Sequence, residues 1–116
     1  MHFLVLLGGA DHFDNWDAAD DELRARFFRD YNAFADAVRQ RGDIVVGDAL
    51  DRPEAARCVQ PGAARVVTDG PFAETVEQIG GFYLVDLPDL ETAIELAKLL
   101  PQEHRVEIRP TLGIEV

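Results

Sequence analysis

Phe82-Tyr83-Leu84-Val85-Asp86-Leu87-Pro88-Asp89-Leu90-Glu91-Thr92-Ala93-Ile94-Glu95-Leu96-Ala97-Lys98-Leu99-Leu100-Pro101 carries the signature of half a fold. The apolar segment Phe82 to Val85 follows Gly80-Gly81 and reads as a strand. Pro88 and Asp89 mark a helix start, because proline tolerates the first turn and an aspartate can accept from a free backbone N–H. Leu90, Ala93, Ile94, Ala97 and Leu100 recur at helical spacing and make one apolar stripe, which Pro101 ends. Beyond it, Val106 and Ile108 alternate with Arg105, Glu107 and Arg109 as in a half-exposed strand, closed by Pro110.

The first half of the chain repeats the strand–helix–strand order. Residues 2–8 form an apolar run stopped by glycines. Ala10 to Asp17 reads as a polar loop holding the chain's one tryptophan, Trp16. A helix is predicted from about Asp20 to Arg41, with Leu23, Phe27, Phe28, Tyr31, Phe34, Ala35 and Val38 on one face. Asp20, Asp21 and Glu22 sit at its electropositive start, Arg39 and Arg41 at its end, and Gly42 is expected as a left-handed cap. Ile44 to Leu50 is the next strand. Arg57-Cys58-Val59 and Arg65-Val66-Val67-Thr68 read as arms of a hairpin across Pro61-Gly62. The order is βαββαβ, a single α+β domain over residues 1–116 with the ferredoxin-like arrangement of an antiparallel sheet. Two helices cover only one face of such a sheet. The apolar strands therefore call for a cover on the other face, and a second copy of the chain supplies it, giving a homodimer of the dimeric α/β-barrel kind.

Charge and composition exclude several functions. Eleven basic residues face 22 acidic ones, for a net charge of −11, and the bases are scattered, so no nucleic-acid surface is expected. No apolar run approaches the roughly 20 residues of a membrane span, and the opening segment lacks the basic flank of a signal peptide, so a cytoplasmic location without membrane contact is expected. Cys58 is the single cysteine and excludes an internal disulfide. The chain has no serine for a serine nucleophile, no compact His/Cys spacing for a metal and no phosphate-loop signature, so neither metal nor cofactor is expected.

The remaining chemistry rests on few side chains. His12 lies between Asp11 and Asp14, where a carboxylate can orient an imidazole for acid–base work, or where the ring is a solvated loop residue. Asp69 can close a turn onto the backbone or present a carboxylate at a pocket rim. Glu74 and Glu77 share a face if their segment is helical, as a carboxylate pair or as a solvated surface. Phe72 is expected at the core or at a dimer contact. Tyr83, alternating with Phe82, can bring a hydroxyl to a ligand. His2 and His104 read as surface residues. The loop after the first strand and the Asp69-Gly70-Pro71-Phe72 turn are expected to bound the pocket.

Thr68-Asp69-Gly70-Pro71-Phe72-Ala73-Glu74-Thr75, with Glu77-Gln78-Ile79-Gly80-Gly81-Phe82-Tyr83-Leu84-Val85 and the closing Val106-Glu107-Ile108-Arg109-Pro110, resembles the DGPF branch of the YCII-related family. The resemblance covers nearly the whole chain and implies a dimeric ferredoxin-like fold. It also implies a small-molecule-binding protein or enzyme of isomerase or lyase type, using carboxylate or histidine acid–base chemistry without a cofactor. An alternative is a regulatory protein associated with an extracytoplasmic-function sigma factor. The chain departs from the related YciI branch in having no histidine on its long helix, and its hairpin is shorter than is usual for the DGPF branch.

Overall fold

The computed structural model describes residues 1–70 and 78–114. In chain order the elements are β1 (His2–Gly9), α1 (His12–Ala18), α2 (Asp21–Arg41), β2 (Asp43–Ala49), a single 3₁₀ turn at Pro53–Ala55, β3 (Arg57–Val59), β4 (Val67–Asp69), β5 (Gln78–Asp86), α3 (Leu90–Ala97) and β6 (Arg105–Pro110). The main sheet has the order β2-β5-β1-β6, with every neighbouring pair antiparallel. This α+β arrangement is consistent with the expected ferredoxin-like layout. β3 and β4 form a separate two-stranded sheet.

One face of the sheet carries the core. Phe3, Val5 and Leu7 of β1 and Val85 of β5 pack with Phe34 and Val38 of α2 and with Ala93 and Ala97 of α3. Both helices begin on an aspartate cap: Asp20 accepts from the Leu23 N–H at 2.8 Å and Asp89 from the Thr92 N–H at 2.8 Å. The other face is apolar as well. Leu4 pairs with Leu84 and Leu6 with Phe82 in the register, and Val46, 48% exposed, lies beside Leu84. The Glu107–Arg109 ion pair at 2.8 Å flanks this strip, as the partners of Leu6 and Leu4 on β6.

Two local expectations are corrected. The stretch after β1 is not a loop but the seven-residue helix α1. Its Asp and Asn content favours caps and turns locally, but Phe13 and Trp16 are three apart and share a face that packs inward. Tertiary packing stabilises a helix too short to stand alone. Gly42 is not left-handed, with φ −177°. A side chain there would overlap the Asp86 carbonyl oxygen, so the glycine serves the close approach of β5.

Candidate functional site

β1 is central, flanked by β5 and β6, and the chain leaving it enters α1 directly over the end of the sheet. Between α1, the first half of α2 and the ends of β2 and β5 lies a pocket of about 460 Å³. Its helix-side wall is aromatic: Phe13, Trp16, Phe27, Phe28 and Tyr31. Trp16 stacks on Phe27 with ring centroids 6.2 Å apart and meets Phe28 edge-on at 5.9 Å. Its floor includes Leu7, Gly80, Gly81 and Tyr83 of the sheet.

Three polar rings meet at one side. The Tyr31 hydroxyl and His104 Nε2 are hydrogen bonded at 2.5 Å. The His104 ring also stacks on Phe27 at 5.7 Å and lies 4.9 Å from the ring of His12. Burial, reinforced by the neighbouring His12, lowers the His104 pKa to about 4, so its imidazole is neutral at pH 7. Burial, with lesser help from Tyr83, Asp30 and Glu103, pushes the Tyr31 hydroxyl up to about 12. His12 is also shifted down by burial. Its Nδ1 is buried without a hydrogen-bond partner among the described residues. The ring fits only because residue 80 is glycine, since a Cβ there would overlap His12 Nε2.

The charged groups around the pocket are engaged elsewhere. Arg24 donates from Nη2 to the Trp16 carbonyl at 3.0 Å, Arg52 is bidentate to Asp17, and Arg26 is ion-paired with Glu103. Their guanidinium groups lie over the rings of Trp16, Phe13 and Phe27 at 4.8, 5.5 and 5.5 Å.

Of the residues singled out in the sequence, His12 and Tyr83 line the pocket, and the Tyr83 ring packs 4.9 Å from Phe34 on the helix side of the sheet. Asp69 ends β4 in the small hairpin, with its side chain 92% exposed and 3.3 Å from Arg57 Nε. It is not among the pocket residues. Phe72, Glu74 and Glu77 lie outside the described residues. His104, read as a surface residue, is half-buried in the pocket wall, and Tyr31, read as part of an apolar stripe, supplies its hydrogen-bond partner. The available signal was a hydroxyl inside an otherwise apolar helix face, which needs a partner once buried. Among the described residues no group of three or more His, Cys, Asp or Glu side chains is placed to hold a metal, and no helix is long and apolar enough to cross a membrane.

The model of the YCII-related domain matches residues 5–109. The chain is also similar to an uncharacterized protein of Rhizobium meliloti (strain 1021), 35% identical over 100 residues that cover 82% of this chain and 78% of the relative. The matched span begins within the central strand β1 and ends within β6, so it takes in both helices of the core and every residue of the pocket. From its first core strand to its last, then, this is a chain that belongs to the YCII-related domain family.

Proposed function

We propose that this protein handles a small molecule in the aromatic pocket and moves a proton there through Tyr31, His104 and His12. The observation that carries the reading is the Tyr31–His104 hydrogen bond, 2.5 Å long, in the wall of a ligand-sized pocket. Both partners are held neutral at pH 7. Such a pair suits charge that develops on a ligand oxygen during a reaction rather than a resting ion. With His104 donating its Nε2–H to the phenolic oxygen, the Tyr31 hydroxyl is free to donate its own proton to that ligand oxygen. His12, neutral and 4.9 Å from His104 between ring centroids, is the base that would face a carbon acid. This is isomerase- or lyase-type proton transfer, with no cofactor in any step. Asp69, on the exposed hairpin, plays no part in this mechanism.

The working unit of the proposal is a homodimer. Leu4, Leu6, Phe82, Leu84 and Val46 form an apolar strip on the face that the helices leave open, and a second copy would bury it. Sedimentation should give twice the chain mass, and Leu84→Arg should halve it. A wild-type monomer at micromolar concentration would remove this part of the reading.

The pocket itself is tested by NMR. Trp16 is the only tryptophan, so its indole N–H resonance reports on the pocket without ambiguity. A library of neutral and charged small molecules should contain compounds that shift this resonance saturably. If none does while the protein is folded, the small-molecule reading fails, and a regulatory partnership such as one with a sigma factor becomes the better account.

A further inference from the structure

The pocket contains a chemical preference as well as a shape. The reading of the pocket as a small-molecule site is the ground on which this inference rests. Among the described residues that line it there is no lysine or arginine. A carboxylate entering the pocket would lose its water with no cation in the described lining to bond, the nearest guanidinium groups lying against the rings of the wall, and the two imidazoles nearby are neutral at pH 7.

An organic cation meets the opposite difficulty. Aromatic walls attract cations through their faces. Here Trp16, Phe13 and Phe27 already carry the guanidinium groups of Arg24, Arg52 and Arg26. The carboxylates nearest those rings, Asp17 and Glu103, are paired with Arg52 and Arg26. Asp48, the one acidic residue of the lining, has Phe82 as its register partner and so lies on the sheet face away from the core helices. Among the described residues of the lining, no acid stands against the aromatic walls to pair with an ammonium group.

What the walls do offer is flat apolar surface and one polar point. A ring can lie against the aromatic side chains of the lining, Trp16 and Tyr83 among them, where stacking and burial favour it. A single oxygen on that ligand can reach the Tyr31–His104 pair, which offers the hydroxyl proton when His104 carries its own proton on Nε2 and donates it to the phenolic oxygen. We propose that the pocket takes an uncharged ligand with a flat apolar ring and one hydrogen-bonding oxygen, a carbonyl above all. It rejects carboxylates and ammonium ions of the same shape.

The test uses three probes of near-identical size: benzylacetone, which is neutral and carries a carbonyl; hydrocinnamate, its carboxylate isostere; and phenylpropylammonium. Each is titrated into the wild-type protein at about pH 7.5, where both imidazoles are neutral, with the Trp16 indole resonance as the readout. Benzylacetone should bind about tenfold more tightly than either charged probe, or better, because only it crosses into the pocket without stranding a charge. Tyr31→Phe should weaken benzylacetone about three- to tenfold and leave hydrocinnamate unchanged. A charged probe that binds as tightly as the ketone would overturn the proposed class but leave the pocket a small-molecule site. Equal affinity of wild type and Tyr31→Phe for the ketone would overturn the placement of the oxygen. Failure of all three probes would also overturn the proposal, and the library titration decides separately whether the small-molecule reading falls with it.

Discussion

Acid should unfold this protein earlier than its carboxylates alone require, and His104 is the reason. Its imidazole is half-buried against Phe27, Tyr31 and His12, and its pKa is lowered from 6.5 to about 4. The unfolded chain therefore binds a proton at pH values where the folded chain does not. Stability from the neutral ring is fully present above the unfolded pKa of 6.5 and is lost as pH falls from there toward the folded value of about 4. Each pKa unit is about 1.4 kcal/mol, so the whole shift would be roughly 3 kcal/mol without screening. The ring is partly open to the pocket, which reduces the expected loss to about 1–2 kcal/mol. His12, shifted the same way by burial, adds to the effect with the same sign. Urea unfolding followed at about pH 7.5 and about pH 4.5 measures the loss for the wild type and for His104→Gln. The variant keeps an amide that can bond the Tyr31 hydroxyl but cannot titrate. The wild type should lose about 1–2 kcal/mol more than the variant over this interval. Equal losses would show that His104 titrates normally in the folded state, and the burial of its ring against Phe27 and Tyr31 would then be wrong.

Gly80→Ala should cost about 1–3 kcal/mol, since its Cβ would overlap the His12 ring. The double variant with His12→Ala should recover much of that loss in a double-mutant cycle, and strict additivity would show that the two residues are not in contact. Asp20→Ala should lower stability by about 1 kcal/mol through loss of the cap on Leu23, with Asp20→Asn recovering most of it, both read from urea midpoints. Asp69→Asn should leave the melting temperature and every pocket titration unchanged, because the carboxylate is 92% exposed on the small hairpin. An altered ligand affinity in that variant would bring the hairpin into the site.

The order of strands and helices could be read from periodicity and breakers alone, because each depends on neighbours in the chain. The stripe Leu90, Ala93, Ile94, Ala97, Leu100 with Asp89 before it and Pro101 after it specifies α3 locally, and Val106 and Ile108 specify which face of β6 turns inward. His12 was identifiable as an imidazole near the exit of a central strand. What local patterns cannot supply is adjacency between residues far apart in the chain. Tyr31 on α2 and His104 before β6 are 73 positions apart, and only the packing of α2 across the sheet brings the hydroxyl and the ring nitrogen within 2.5 Å. The seven-residue α1 exists because Trp16 finds aromatic partners on α2 and Phe13 meets the Arg52 guanidinium and the Gln78 side chain, a stabilisation with no trace in their own helix propensity. Gly42 and Gly80 read as a cap and a strand start, yet each marks a close approach by a distant segment, the β5 backbone in one case and the His12 ring in the other. Sequence thus determined the elements and their buried faces, through interactions a few residues long. Tertiary structure decided the site, because burial and hydrogen bonding between distant segments keep two imidazoles neutral and give the phenol its partner.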